Sequence, residues 1–312
     1  MSEQQQSEQS HLDSRGLLFA FGAYLLWGGF AAYFKLLSAA GPFEIIGHRV
    51  LWTFVFCILT VVVLRQTAHL REVIADRRLF WGLAGAGLLV TVNWSIYVWG
   101  VVNDHVVDAA LGYFINPLFT VALAVLVLGE RLRIAQWIAV GVAVVAVLVI
   151  AIGYGQVPWV ALSLAVSFGL YGLVKKQVGG RVSPLVGLTV ETAMLAPLAL
   201  AFLAWLQATG ASNLLSHGPG LTIGLVAAGV VTAIPLLMFA AASARIPLSM
   251  MGLIQYVTPL IQFSFGVWIN HESMPPARWA GFGLVWVALV VLTVDSLRAA
   301  RRPVVIDPEV MN

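Results

Sequence analysis

The sequence predicts an all-α integral membrane protein whose ten transmembrane helices form two inverted repeats of five. Composition, the length of the apolar runs and an internal repeat support this prediction. Hydrophobic residues make up 60% of the 312 residues, and charged residues only 10%, against about 25% in a typical soluble domain. The mean hydropathy is +0.93. Because a soluble fold of this length needs polar residues to cover its surface, the composition excludes one.

Long apolar runs favour helices over a β-barrel as the spanning structure. Helices and closed β-barrels can both satisfy their backbone polar groups within lipid. The strands of a barrel, however, alternate apolar and polar residues. The run at residues 134–152 is instead almost wholly apolar, and it is long enough for a helix to cross ~30 Å of hydrocarbon. Ten such spans are predicted, at residues 16–38, 43–64, 79–101, 106–128, 134–154, 158–178, 184–206, 221–244, 247–269 and 277–297.

Little of the chain is left outside these spans. Residues 1–15 are rich in Gln, Glu and Ser, without a basic start or a short apolar core, so they predict a disordered cytoplasmic tail rather than a signal peptide. Residues 298–312 predict a second cytoplasmic tail. Cys57 is the single cysteine, which excludes an intramolecular disulfide and a cysteine-based zinc site. No metal and no cofactor are expected.

The distribution of basic residues predicts that both termini are cytoplasmic. With the N-terminus inside, the inner segments hold fourteen of the seventeen Lys and Arg residues, and the outer segments hold only Arg278. Such an excess of positive charge marks cytoplasmic loops. The net charge of +3 is therefore interpreted as a topology signal and not as the mark of a nucleic-acid partner. We expect a multi-pass protein of the plasma (inner) membrane.

A shift of 142 residues places the second half of the chain on the first without a gap. Pro117 then falls on Pro259, and Trp137 falls on Trp279. Matches at such residues in one register are hard to explain by chance. Each unit holds five spans, an odd number, so the second unit enters the membrane inverted. The predicted units are residues 16–154 and 158–297. Inverted repeats of this kind are typical of secondary transporters.

Several stretches resemble the RarD-type members of the EamA family, in the drug/metabolite transporter superfamily. They are AYLLWGGFAAYFKLL (23–37), EIIGHRVLWTF (44–54), VNW (92–94), LGYFINPL (111–118), LGERLRIAQW (128–137), SFGLYGLVKK (167–176), ET (191–192) and QYVTPL (255–260). The resemblance covers nearly all of residues 16–297. It implies a five-plus-five inverted repeat and an inner-membrane permease. Some members are labelled chloramphenicol-sensitive or chloramphenicol-resistance permeases, and no physiological substrate is implied.

Arg49 and Glu191 are the leading candidates for substrate binding. An ionisable side chain inside a span costs about 2.5–3.5 kcal/mol on insertion scales and marks a functional hypothesis. The shift of 142 residues places Arg49 on Glu191 itself, so the two lie at equivalent depths in their halves. We expect both to line a central cavity, where Arg49 holds an anionic group and Glu191 binds a cationic group or a proton. The alternative is a structural contact or snorkelling to the interface.

Other polar residues in the spans are further candidates. Lys35 lies near the end of the first span, where it either contacts substrate or snorkels to the interface. Glu44 and His48 are four residues apart on one helix face, and form either a proton-sensitive pair or a plain interfacial pair. Candidates for the cavity wall are Asn93, Tyr113, Asn116, Gln255, Tyr256 and Gln262.

Pro117 and Pro259 are predicted helix kinks in equivalent spans. Each proline lacks an N–H group and frees the carbonyl four residues back, at Tyr113 and at Gln255. In lipid, a freed carbonyl is tolerated only where protein or water bonds it again. We therefore expect both kinks to face the cavity or a packed helix.

The sequence favours a secondary transporter over an enzyme. It contains no H-E-x-x-H, G-x-S-x-G or Walker-type G-x-x-x-x-G-K-[ST] motif, so no catalytic residue is predicted. A transporter of small amphipathic metabolites or drugs, working by alternating access without ATP, explains the inverted repeat. The alternative is a non-transporting membrane receptor or assembly protein. The expected partners are the lipid bilayer and a small-molecule substrate, and the oligomeric state stays open.

Overall fold

The computed structural model describes residues 13–128, 132–178, 181–246 and 248–300, and these residues form helices without a strand. The ten spans are Ser14–Gly28 with Phe30–Leu36 (span 1), Pro42–Val63 (span 2), Arg77–Val102 (span 3), Val106–Leu128 (span 4), Ile134–Tyr154 (span 5), Trp159–Val178 (span 6), Pro184–Ala193 with Ala196–Ala208 (span 7), Gly218–Ser243 (span 8), Leu248–Ile254 with Val257–Ser264 (span 9) and Pro276–Ala300 (span 10). A π-helical turn, Phe265–Ile269, completes span 9. A short helix, Thr67–Ala75, connects spans 2 and 3.

The spans confirm the predicted fold class. Nine helical stretches among the described residues are long and apolar enough to cross a membrane, and the bent pair of span 7 makes the tenth. The two halves of span 7 meet at 49°. Breaks also divide span 1 at Gly29 and span 9 at Gln255 and Tyr256.

Local capping explains why spans start where they do. Span 1 begins two residues before the predicted start, because the side chain of Asp13 accepts hydrogen bonds from the backbone N–H groups of Arg15 and Gly16. Asp76 caps span 3 in the same way. Carboxylates at this position satisfy N–H groups that have no partner within the helix. Residues 1–12 and 301–312, which make up most of the predicted tails, lie outside the described part of the chain.

Contacts between spans repeat when the two halves are exchanged. Span 1 packs on spans 8 and 9, and its equivalent, span 6, packs on spans 3 and 4. Span 2 packs on span 8, and span 7 packs on span 3. Spans 2 and 7, 4 and 9, and 5 and 10 each pack on their own equivalents. This is the contact pattern of two units related by a two-fold axis, as an inverted repeat requires.

Two equivalent glycines allow the halves to approach closely. A Cβ atom built on Gly87 in span 3 would lie 2.5 Å from the backbone oxygen of Glu191. A Cβ atom built on Gly229 in span 8 would lie 2.2 Å from the carbonyl carbon of Trp52. Small residues let helix backbones pack at such distances in membranes. These crossings position spans 7 and 2, which carry Glu191 and Arg49.

Gly87→Ala tests the close crossing of spans 3 and 7. The added methyl group meets backbone and not a flexible side chain, so we expect a loss of about 1–3 kcal/mol of stability and a lower melting temperature in detergent. Gly85→Ala is the matched control in the same span, because a Cβ atom there has no neighbour within 4 Å. Equal melting temperatures for the two variants would contradict this account.

Candidate functional site

Arg49 places a guanidinium group in the interior, between the two repeats. Its side chain extends from span 2 and is 3% exposed. Nε donates a hydrogen bond of 3.0 Å to the hydroxyl of Thr232 in span 8. The guanidinium carbon lies 5.3, 4.9 and 4.2 Å from the ring centroids of Phe30, Phe34 and Trp94. Cation–π contacts of this kind offset part of the cost of burying the charge.

The charge of Arg49 has no carboxylate partner in the part of the chain that the structure describes. Within the same part, its Nη1 atom is buried without a hydrogen-bond partner, as are the hydroxyl of Tyr97 and Oε1 of Gln262. Gln262 lies next to the Tyr97 hydroxyl. Buried polar groups are normally paired. Nη1 of Arg49 therefore holds spare hydrogen-bonding capacity, and the Tyr97 hydroxyl and the Gln262 side chain lie next to each other near it. We call Arg49, Tyr97 and Gln262 the Arg49 site.

Two of the predicted wall residues adjoin this site. The side-chain N–H group of Asn93 donates to the carbonyl of Leu164 at 3.2 Å and to the hydroxyl of Ser167 at 3.0 Å. The hydroxyl of Tyr113 donates to Oδ1 of Asn93 at 3.3 Å, and the Tyr113 ring lies 5.8 Å from the ring of Tyr97. Asn93 and Tyr113 thus join spans 3, 4 and 6 beside the Arg49 site.

Glu191 is also buried, at 1% exposure, but its charge is compensated. Nζ of Lys175 donates to Oε1 at 2.6 Å, and the hydroxyl of Tyr171 donates to Oε2 at 3.3 Å. The Lys175 side chain is 31% exposed, so the ion pair reaches from the interior towards the protein surface. Arg49 and Glu191 therefore have separate partners, and no ion pair joins them.

Sequence patterns do not point to Lys175, because a lysine near the end of span 6 equally fits the excess of basic residues on the inner side of the membrane. The internal repeat contains the missing information. Lys175 precedes Glu191 by sixteen residues, and its equivalent, Tyr33, precedes Arg49 by the same interval. Tyr33 also lies close to Arg49. No comparable pattern pointed to Thr232, which lies in a different repeat from Arg49.

Lys35 lies outside the Arg49 site. It forms an ion pair with Asp104, in the connection between spans 3 and 4, and the two side chains are 31% and 61% exposed. The hydrogen bond from Lys35 holds the pKa of Asp104 below its usual value. Lys35 thus belongs to an ion pair at the protein surface.

Glu44 and His48 lie at the start of span 2, where Glu44 holds a loop of the other repeat. Its carboxylate accepts hydrogen bonds from the hydroxyl of Ser212 at 2.8 Å and from the backbone N–H group of Asn213 at 2.9 Å. Nε2 of His48 lies 4.0 Å from the same carboxylate, and its Nδ1 accepts a hydrogen bond from Trp52 at 3.2 Å. This cluster joins the repeats at one end of the spans.

The two predicted kinks differ in the structure. Span 4 is helical on both sides of Pro117, and Oδ1 of the preceding Asn116 is buried without a partner among the described residues. Span 9 is interrupted at Gln255 and Tyr256, shortly before Pro259.

The segment after the break in span 9 is bonded to span 1. The hydroxyl of Thr258 donates to the carbonyl of Tyr24 at 2.7 Å, and Nε2 of Gln262 donates to the carbonyl of Trp27 at 3.2 Å. Tyr256 packs in the apolar cluster of spans 4, 5 and 10 and not beside Arg49. Gln262 thus lies at the Arg49 site, whereas Tyr256 lies elsewhere.

The described residues offer no obvious place for a metal ion, since no group of three or more His, Cys, Asp or Glu side chains converges among them.

A cavity of about 200 Å³ lies between spans 2, 3 and 7 and the helix Thr67–Ala75, and its lining is almost entirely apolar. Neither Arg49 nor Glu191 lines it.

Comparisons with known proteins identify the family. The EamA-like transporter family matches the chain twice, at residues 14–152 and 157–294. The chain belongs to the EamA-like transporter family. Protein RarD of Streptomyces exfoliatus is 51% identical over 92% of this chain and 90% of that protein. Protein RarD of Escherichia coli K12 is 38% identical over 92% of this chain and 97% of that protein. A crystal structure that is 20% identical superposes with a TM-score of 0.57 over 93% of this chain and 99% of that chain.

Membership of the EamA-like family confirms the resemblance drawn from the sequence. It makes the chain a multi-pass membrane protein of the drug/metabolite transporter type. The crystal structure supports the fold alone, because its sequence identity is low.

Replacing Lys175 tests its pairing with Glu191. Lys175→Gln leaves the buried carboxylate of Glu191 without its cation. Removing one partner of a fully buried pair costs about 3–5 kcal/mol, and we expect a smaller loss here because the Lys175 side chain is 31% exposed. We expect a clear drop in melting temperature in detergent, and partial recovery in the double variant Lys175→Gln/Glu191→Gln. Arg133→Gln is the control, because its ion pair with Asp295 is half-exposed at the arginine and exposed pairs contribute about 0–1 kcal/mol. A double variant less stable than Lys175→Gln would contradict the pairing.

Proposed function

We propose that this EamA-like protein is a secondary transporter of small amphipathic metabolites or drugs, with the Arg49 site as its substrate-binding site. The buried guanidinium between the repeats is the observation that carries the proposal. A cation within a membrane protein is costly unless a partner compensates it. Among the described residues, Arg49 has aromatic rings and one hydroxyl around it but no anion. A solute that binds during transport supplies that partner.

Access to the Arg49 site requires the spans to separate. The Nη1 atom of Arg49, the Tyr97 hydroxyl and Oε1 of Gln262 each expose less than 1 Å². In alternating access, one repeat rocks against the other and opens a central site to each side in turn. The exchange-symmetric contacts between spans support this motion, because equivalent interfaces can open at either end.

Each end of the interface between spans 2 and 7 is closed by a polar latch, although the two latches use residues that the repeat does not place on one another. At one end, Glu44 at the start of span 2 binds the 212–213 loop. At the other, Ser183 at the start of span 7 donates through its hydroxyl to Gln66 at 3.2 Å and through its backbone N–H group to His69 at 3.4 Å. Opening one end breaks one latch and leaves the other in place, as alternating access requires.

Glu191 is the proposed coupling residue. Its carboxylate is bound by Lys175, and movement of Lys175 would free it to take a proton or a cation. Glu44 and His48 are secondary candidates for proton coupling, because the imidazole and the carboxylate lie 4.0 Å apart. With no Walker-type motif in the sequence, the energy comes from an ion gradient, from exchange or from the solute's own gradient.

Transport in proteoliposomes tests this function. We expect flux of at least one of three labelled probes, chloramphenicol, phenylalanine and 3-phenylpropionate, above that of protein-free liposomes. Arg49→Gln should reduce this flux by at least about tenfold, the equivalent of ~1.4 kcal/mol of binding free energy. Glu191→Gln should abolish any stimulation by a pH gradient.

Arg133→Gln is the control for this assay, since its ion pair with Asp295 lies outside the site. Full flux in Arg49→Gln would contradict the assignment of the site. Binding of a probe without flux of any of them would favour a receptor over a transporter.

The proposed topology places both termini in the cytoplasm, with repeats at residues 16–154 and 158–297. Cysteine labelling in intact cells tests it in a Cys57→Ala background, where no other cysteine is present. We expect Ser216→Cys to react with a membrane-impermeant maleimide, because the exposed connection before span 8 faces outward. Glu72→Cys, exposed on the helix Thr67–Ala75, should react only after permeabilisation. The reverse pattern would invert the topology.

A further inference from the structure

We infer that the Arg49 site selects an organic monocarboxylate that has no ammonium group beside the carboxylate. This inference rests on the proposed function and narrows its substrate class. It depends on three features of the site: the free edge of the guanidinium, the single charge and the unpartnered groups beside it.

The surroundings of Arg49 leave one edge of the guanidinium for a ligand. The aromatic rings of Phe30, Phe34 and Trp94 surround the group, with the Trp94 centroid only 4.2 Å from the guanidinium carbon. Nε is already bonded to Thr232, whereas Nη1 has no partner among the described residues. A ligand that accepts a hydrogen bond from Nη1 along its N–H bond lies in the plane of the guanidinium. Carboxylates are planar and bond arginine in this arrangement.

The charge of the site favours a ligand with one negative charge. Arg49 lacks a carboxylate partner within the described chain, and the carboxylate of Glu191 is held by Lys175. A monocarboxylate neutralises the single cation. A phosphate carries about −1.5 to −2 charges at neutral pH, so it would leave a buried excess of negative charge beside the single cation. The ammonium group of an amino acid would be buried without an anion, which is costly.

Tyr97 supplies a second contact for the carboxylate. Its hydroxyl is buried beside the Gln262 side chain and makes no hydrogen bond of standard geometry in the described part of the chain. Tyr97 lies on the same span as Trp94, one helical turn further along. A tyrosine hydroxyl can donate a hydrogen bond, so Tyr97 and Nη1 of Arg49 can each bond one carboxylate oxygen. A neutral amide of the same skeleton gains no such charge-assisted bonds.

Three probes that share one carbon skeleton test the inference by direct binding. They are 3-phenylpropionate, L-phenylalanine and 3-phenylpropanamide, which are an anion, a zwitterion and a neutral molecule. Affinities are measured by isothermal titration calorimetry on the full chain in detergent at pH 7. We expect 3-phenylpropionate to bind at least about tenfold more tightly than either other probe.

Substitutions then test whether the preference for 3-phenylpropionate depends on Arg49 and Tyr97. Arg49→Gln should reduce the affinity for 3-phenylpropionate to that of the amide, and Arg49→Lys should retain part of the preference because it keeps the charge. Tyr97→Phe should weaken 3-phenylpropionate binding several-fold and leave the melting temperature close to that of the unmodified chain. Arg133→Gln should leave all three affinities unchanged. If Arg49→Gln fails to fold, the Arg49→Lys and Tyr97→Phe variants carry the test.

The outcomes separate this inference from the proposed function. Equal or tighter binding of phenylalanine or of the amide would overturn the monocarboxylate preference. So would the absence of binding by 3-phenylpropionate. Neither result would affect a transporter that moves chloramphenicol or phenylalanine in proteoliposomes. Absence of flux for every probe, together with selective binding of 3-phenylpropionate, would instead overturn transport and leave the ligand class standing.

Discussion

The interior of a membrane offers polar groups no water to bond, and this constraint governs the whole structure. Backbone groups bond within helices, and buried charges need partners. Asp108 pairs with Arg278, and Glu191 pairs with Lys175. Arg49 is the exception within the described chain, because aromatic rings and one hydroxyl surround it and no anion does. The proposed substrate site depends on this exception, since a buried charge without an anion is costly.

The two repeats share a backbone arrangement but differ in chemistry. Glycines at equivalent positions produce equivalent close crossings, at Gly87 and at Gly229. The equivalent residues Arg49 and Glu191 carry opposite charges and have different surroundings. A symmetric backbone arrangement can open at either end through similar interfaces. Side chains that differ between the repeats can take different roles in transport. In the proposed function one repeat supplies the charge that binds the solute, and the other supplies the group that couples transport to an ion.

Much of the fold could be predicted because lipid imposes simple rules on sequence. Long apolar runs located the spans, and the register of the repeat gave the two-fold relation. The positions of Arg49 and Glu191 within predicted spans followed from the same patterns, and both side chains are buried in the structure. Their partners did not follow from these patterns, because Lys175 and Thr232 lie on other spans and no local spacing records that contact. Arg278 looked like a loop charge, yet it is 3% exposed, because its partner Asp108 comes from the other repeat.

The sequence by itself determined the membrane class, the span number, the repeat and the two buried charges, since each depends on composition, length or register along one chain. Only the tertiary structure decided which charge is compensated. That question depends on which spans pack together, and packing brings distant residues such as Gln262 and Tyr97 side by side. Packing places Lys175 of span 6 beside Glu191 of span 7, so this carboxylate has a cation. Aromatic side chains surround the Arg49 guanidinium instead, so Arg49 has no anion among the described residues.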